Sequence, residues 1–521
     1  MKFKKLKVLF LLPLVLLITS SQKTDPDYFE ISKNLKLVAS VYEKINNYYV
    51  DEILPGRVMK KGIDAMLKSL DPYTVYISEA QIEDFRFTTT GEYGGIGASI
   101  KKRDKKTVVS ELYENSPAEK SGLIPGDEIY TIDGIEISNK TLEEIGSLLK
   151  GPAESIIKIE IKRKAQTLEK LVKREKIQIP AVNFYKKINP TTGIIKLTSF
   201  TNTASNEFKK ALSSLQKENI NNLIIDLRAN GGGLLNEAVK IVNFFIPKGQ
   251  EVVSTKSRIK EMNRSYKTKA VPIAQELSLV VLVDEYSASA SEIVAGAIQD
   301  NDRGIIIGRR SFGKGLVQED QKLRDGSSVR ITIARYYTPS GRCIQRPYSG
   351  DYDAYYEDLN RTEESMFTMD SSGFVDSLSF KTLAGRTVYG GGGISPDKFV
   401  PYDTSGSSYY LSALEWSGVF SQFTFDWAKK KHLFENMTWP SFNAFEKTFD
   451  GTILLKELRE YVELEFNIIP LNENEFQYSK KRIIRRLKAE IARQFWSDDG
   501  FYKVYNQTDP EMNAALQSFF E

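Results

Sequence analysis

The sequence predicts a multidomain α/β chain with helical regions at both ends, and three observations carry that expectation. At roughly 100–200 residues per domain, 521 residues call for several domains. Apolar residues make up 41% and charged residues 27% of the chain, the ordinary range for a chain with buried cores. The middle of the chain alternates short apolar runs with stretches of helical period, punctuated by Gly and Pro.

Taken in order, the first element is MKFKKLKVLFLLPLVLLITSS, residues 1–21. A basic start, about a dozen apolar residues and a small polar end form a secretory signal, with cleavage expected near residues 20–22. The apolar run is short of the ~20 residues that span a bilayer comfortably, although a retained membrane anchor is the alternative. The chain is expected to leave the cytoplasm. Residues 22–90 read as a helical region, with Leu35, Val38, Val41, Tyr42 and Ile45 at helical spacing, broken at Asp71-Pro72-Tyr73. Residues 91–175 change to short strand-like runs (GIGASI, TVVSELY, DEIYTIDG, SIIKIEIKR) around one amphipathic helix, Leu142–Leu149. Residues 176–405 alternate strand and helix: GIIKLTSF before 204–215, NLIIDLR before 234–245, LSLVVLVD before 291–299, then GIIIG. That pattern means a buried sheet layered with helices. Two polar stretches, 256–269 and 347–379, read as surface loops. Residues 406–521 read as a mainly helical, amphipathic extension.

Composition narrows the chemistry. The formal charge is +4, and four lysines with no acid lie in residues 1–21. The body is therefore neutral, which excludes a dedicated nucleic-acid binder. One histidine, His432, and one cysteine, Cys343, exclude a zinc site of several His and Cys ligands and an intrachain disulfide. A Ser-His-Asp arrangement would have to run through His432, in a Lys-rich stretch (KKKHLF) far from any nucleophile-like motif.

Three motifs of the α/β region remain. In LIIDLRANGGG, Gly231, Gly232 and Gly233 follow a buried strand, and such a turn suits an anion or oxyanion, or is a plain strand-to-helix turn. In VVLVDEYSASASEIVAGAIQD, Ser287, Ser289 and Ser291 stand where a strand meets an apolar helix. A hydroxyl there acts as nucleophile or, by local propensity, as an N-cap. In GIIIGRRSFGKGLVQ, Gly308 to Lys314 has the first part of a phosphate-binding loop, but Gly315 replaces the hydroxyl residue and strands follow. Nucleotide binding is not expected. What stands out is a lysine between two glycines in a chain nearly without histidine. Burial that lowers its affinity for a proton makes it a general base, as in Ser-Lys dyads.

Together these motifs make the sequence resemble the carboxyl-terminal processing peptidases, or tail-specific proteases. The resemblance runs from about Leu70 to Asp397 through GGIGASI, SPAEKSGLIPGDEIYTIDG, DLRANGGG, SASASEIVAGAIQD and SFGKGLVQ. It implies a crotonase-like superhelical protease core with an inserted PDZ domain at 91–175. It implies Ser289 as nucleophile, Lys314 as base and Gln318 as the residue that orients the lysine. The Ser-to-Lys spacing, 314 minus 289, is that of the family. The implied oxyanion donors are the amides of Ala290 and Gly232. In the PDZ domain, Gly94, Gly95, Ile96 and Gly97 form the implied carboxylate loop, and helix Leu142–Leu149 forms the far wall of a groove that takes a peptide as an added strand. Arg174 is a candidate for coupling that groove to the dyad.

The implied activity is that of an exported serine endopeptidase acting on proteins with exposed C-terminal tails, without metal or organic cofactor. The alternative is a non-catalytic scaffold or binding protein of the envelope. Within the extension, 479–493 carries seven basic residues and one acid, a solvated face or a surface for an anionic membrane or an adaptor. A free-standing core is expected to survive deletion of 406–521.

Overall fold

The computed structural model describes residues 28–82, 90–103, 106–113, 115–163, 166–357, 378–434 and 436–520. The expected signal segment lies outside them, as does most of the loop expected at 347–379. Among the described residues no helix is long and apolar enough to cross a membrane. The chain divides into two units, 1–67 and 68–521. In the first, helix Tyr28–Tyr48 buries none of its residues. Helix Pro55–Lys68 follows it.

In the second unit, the central element is a six-stranded sheet in the order Val182–Lys187, Thr192–Leu197, Asn222–Asp226, Ser278–Val283, Ile305–Gly308, Lys398–Phe399. The first pair is antiparallel and the remaining four are parallel. A parallel sheet needs cover on both faces, so its strands read as continuous apolar runs. The alternation then decides which residue meets which cover. Ile195, Leu197, Leu223, Ile225, Val281 and Val283 meet helices Ala204–Lys217, Leu235–Val242 and Ala290–Asp300. Ile194, Ile224, Val280, Leu282 and Ile307 face the other way and pack on Met512, Ala515 and Tyr502 of the C-terminal extension. The extension is thus half of the core's enclosure. Deleting 406–521 would bare that face of the sheet, which weighs against a free-standing core.

Beside this core, Glu251–Lys256 pairs with both Arg264–Lys267 and Ser328–Tyr337, which also carries Leu316–Lys322 and Val75–Ile77. The stretch 256–269, expected as a loop, is therefore largely a hairpin. Its strand is exposed and basic, as sheet edges commonly are, and such an edge carries no apolar alternation to announce it.

Residues 98–173 form a separate sheet, ordered Ala98–Arg103, Lys106–Leu112, Glu128–Ile132, Ile156–Arg163, Gln166–Lys173. Strand Ile156–Arg163 alternates strictly, burying Ile157, Ile159 and Ile161. These pack with Ile145 and Leu149 of helix Leu142–Leu149, whose start is fixed by a capping box between Thr141 and Glu144. The chain enters and leaves this module through one antiparallel pair, Glu92–Gly95 with Glu175–Gln178.

The extension consists of helices Tyr409–Trp416, Val419–Lys430, Phe442–Thr448, Leu455–Phe466, Glu473–Tyr505 and Pro510–Ser518 around an aromatic-rich core of its own. Five of the seven basic side chains on 479–493 turn to partners in the chain. Arg482 meets Ser407, Arg485 meets Thr508, Arg486 meets Glu490, Lys488 meets Glu446, and Arg493 meets Asp498.

Candidate active site

Parallel strands deliver their C-terminal ends to one edge of the sheet, where α/β folds build their sites. After Ser278–Val283 the chain turns through Asp284 into helix Ala290–Asp300. Ser287 Oγ donates to Leu227 O and Ser291 Oγ to Asn230 O, both at 2.8 Å, and the Ala288 amide donates to Asn230 O at 3.0 Å. These three bonds tie the serine turn to the turn after the neighbouring strand. Ser289, between them, is half-buried at the N-cap position with φ 56° and ψ −111°. A left-handed φ is costly for a residue with a side chain and persists only where surroundings impose it.

Glu292 supplies much of that imposition. Fully buried, its Oε2 accepts the Ser289 amide at 2.8 Å and the Lys314 amide at 2.9 Å. Its Oε1 accepts Ser311 Oγ at 2.6 Å and the Gly313 amide at 2.7 Å. One carboxylate oxygen therefore holds the backbones of both dyad candidates. Burial pushes the Glu292 carboxyl upward, and its four donors oppose that. Tyr336, also buried, adds a second tie, donating its hydroxyl toward Ser289 O at 3.1 Å and toward Lys314 O. Sequence reasoning found neither. Glu292 stands three residues after Ser289, the capping-box spacing, a signal that announces the helix start and not the link to Lys314.

Lys314 occupies the loop between strands Ile305–Gly308 and Leu316–Lys322, so no helix follows the GKG motif. Burial, helped by Arg330, pulls its ammonium down to about 8, against the pull of Glu292 and Asp71. The Tyr73 ring lies over the ammonium, 4.6 Å from Nζ. The Tyr73 hydroxyl in turn meets the Tyr355 hydroxyl at 2.8 Å. Gln318 reaches Lys314 through Tyr73, because its Nε2 donates to Tyr73 O at 2.7 Å. In the sequence, Tyr73 belongs to a segment legible only as a helix breaker.

Gly232 is pressed against the serine turn at φ 99°. A Cβ on it would stand 2.6 Å from Ala288 O, 2.8 Å from Ser289 Cβ and 2.9 Å from Ala290 N. Its amide, however, donates to Asn230 Oδ1 at 2.9 Å. The expected oxyanion donor is thus engaged by a side chain two residues earlier, and exposed Gly231 lies beside it.

The PDZ-loop candidates divide. Gly94 and Gly95 belong to the strand paired with Lys176 and Glu175, while Ile96 and Gly97 form the loop proper. Gly94 O accepts from Gly151, Ile96 O from Ala118 and Gly97 O from Tyr113. The Ile96 side chain is buried in the module's core, so Ile96 offers a ligand only its backbone. Arg174 does not point toward the dyad. Its guanidinium caps helix Leu142–Leu149, donating to Leu148 O at 2.8 Å, Leu149 O at 3.1 Å and Ser155 Oγ at 3.0 Å. Among the described residues no group of three or more His, Cys, Asp or Glu converges as metal ligands.

Three family models match this chain: peptidase family S41 over residues 191–352, a PDZ domain over 108–163 and a family of unknown function over 410–498. A probable CtpA-like serine protease of Staphylococcus haemolyticus (strain JCSC1435) is 32% identical over 353 residues, covering 66% of this chain and 71% of that protein. Another from Staphylococcus aureus (strain bovine RF122 / ET3-1) is 34% identical over 312 residues, 60% of this chain and 62% of that protein. A photosystem II D1 C-terminal processing protease of known structure is 25% identical, covering 71% of this chain and 94% of that one, with a TM-score of 0.37. On the first of these relatives and the two matched segments, the chain belongs to peptidase family S41 and is a serine-type peptidase of the carboxyl-terminal processing kind, with a PDZ domain ahead of its peptidase segment.

Proposed function

We propose that the chain is an exported endopeptidase that captures exposed, apolar C-terminal tails of proteins and cleaves them with a Ser289–Lys314 dyad. In this reading residues 1–21 direct export, 22–90 form a helical lead, 91–175 the PDZ domain, 176–405 a crotonase-like peptidase core and 406–521 the helical extension. The tail carboxylate is met by backbone amides at Ile96 and Gly97, with Gly94 and Gly95 holding that loop. The tail lies as an added strand beside Ala98–Arg103. The membrane or adaptor contact weighed for 479–493 has no part here, since most of its basic side chains have partners within the chain.

Neutral Lys314 takes the proton of Ser289 Oγ as the oxygen attacks the scissile carbonyl. The amide of Ala290, at the start of helix Ala290–Asp300, meets the developing oxyanion, with a second donor from the amide of exposed Gly231, since Asn230 Oδ1 holds that of Gly232. The Lys314 ammonium returns its proton to the leaving amine. A water, deprotonated by the same lysine, then releases the acyl group from Ser289. Gln318 and Tyr73 position the lysine.

The observation that carries this reading is the single Glu292 oxygen shared by the Ser289 and Lys314 amides. The test uses the chain from about residue 22 beside its Ser289→Ala and Lys314→Ala variants, each incubated with a loosely folded protein bearing an apolar tail. Cleavage by the parent alone is expected. Cleavage by either variant at a rate near the parent's would remove that residue from the mechanism.

A further inference from the structure

We propose that the C-terminal helix Pro510–Ser518 is a positioning element of the active site, its Asp509 and Glu511 holding the two turns that carry the oxyanion glycines and the base. This inference rests on the dyad reading above and gives a role to the end of an extension that the peptidase and PDZ matches leave uncovered.

Two arginines lead into the catalytic turns. Arg228 precedes Gly231–Gly232 after strand Asn222–Asp226, and Arg309 precedes Lys314 after strand Ile305–Gly308. Both side chains are nearly enclosed, and both end at the start of the last helix. Arg228 Nη1 donates to Asp509 Oδ2 at 2.7 Å and lies 3.4 Å from Glu511 Oε2. Arg309 Nη1 donates to Glu511 Oε1. Glu511 therefore bridges the two segments, with Asp509 and Glu511 only 4% and 7% exposed.

The hold on Arg228 reaches the nucleophile by short steps. Residues 227–230 carry the carbonyls that receive Ser287 Oγ, the Ala288 amide and Ser291 Oγ. Between them, the Ala229 amide donates to both carboxylate oxygens of Asp284 at 3.0 Å. A shift of Arg228 thus moves the acceptors on either side of Ser289 as well as the Gly232 that abuts it. Each arginine also has an acid inside the core, Asp226 for Arg228 and Glu285 for Arg309. Removing the extension's acids therefore leaves neither guanidinium without a counter-charge. Such variants loosen the turns without unfolding the chain, which separates positioning from mere docking.

The experiment uses the whole chain with Asp509→Asn, Glu511→Gln and the pair. Asn keeps the N-cap bond that Asp509 Oδ1 now accepts from the Met512 amide, so the helix start survives the loss of the ion pair. Steady-state cleavage is normalised to folded protein, and amide hydrogen exchange is followed without substrate. The expected result is a kcat lowered about tenfold by each change and about a hundredfold by both, at unchanged KM, the scale of a small misplacement transmitted from outside the chemistry. Exchange should quicken at 229–233 and 311–315 and stay unchanged in the central strands. A kcat per folded molecule within about twofold of the parent, or exchange unchanged in those two segments, overturns the proposal. Exchange is read without turnover, so it judges the clamp even if Ser289→Ala were to keep its activity and sink the dyad.

Discussion

Ser289, Lys314 and Glu292 form one small assembly in which a carboxylate fixes two backbones and leaves the side chains of the proposed dyad to do chemistry. The lysine must be neutral to accept a proton. With its ammonium pulled down to about 8, the neutral fraction rises tenfold per pH unit below that value and levels off above it. The rate of serine acylation should follow the same course. Lys314→Ala should lower kcat by about a thousandfold, within the range of general-base effects, with the far-ultraviolet circular dichroism unchanged. Glu292→Gln offers one acceptor oxygen where four donors now converge. It should cost about 3 kcal/mol of unfolding free energy and lower activity further than the lost stability explains, read by denaturant melts beside turnover. Gly232→Ala forces a Cβ to within 2.6 Å of Ala288 O at a left-handed φ. It should destabilise by about 2 kcal/mol or more. At this scale the sequence was informative about residue types and silent about who holds them. Ser289 and Lys314 are legible as motifs. The Asn230 side chain's claim on the Gly232 amide is not, because a local side-chain bond of that kind leaves no periodic trace.

Among elements, the alternation of apolar runs and helical stretches over 176–405 announced a buried sheet layered with helices, because strands buried on both faces must be apolar throughout. That same uniformity conceals what covers each face. The helices that follow the strands cover one face, and helix Pro510–Ser518 with Tyr502 covers the other, from about a hundred residues further along the chain. An amphipathic pattern shows that a helix has a buried side and does not name its partner. Met512→Ala should therefore behave as a core substitution of the peptidase, costing about 2–5 kcal/mol, and removal of 510–521 should abolish a single cooperative unfolding transition. Thermal and denaturant melts check both, and a truncated chain that unfolds like the parent would contradict this view of the sheet. Strand Arg264–Lys267 escaped the sequence for the opposite reason: as an exposed edge it is basic and polar, like the loop expected across 256–269.

For the whole molecule, the extension touches both the PDZ module and the peptidase core. Lys101 Nζ donates to Ser421 Oγ at 2.5 Å, and Lys429 Nζ donates to Gly126 O. At its far end Asp509 meets Arg228 at 2.7 Å. The extension thus joins the PDZ module, where tail capture is proposed, to the peptidase core that it helps to enclose. A substrate whose apolar tail is removed should lose affinity, seen as a raised KM with kcat little changed, because the PDZ groove contributes binding and the dyad contributes chemistry. The central claim is that Ser289 is a nucleophile activated by Lys314. It is tested most directly by labelling the chain with a serine-reactive fluorophosphonate, locating the adduct by peptide mass spectrometry and following its rate against pH. The account predicts a single adduct on Ser289, a rate that climbs to a plateau above about pH 8, and no labelling in Lys314→Ala. An adduct on another serine, or labelling that persists without Lys314, would contradict it.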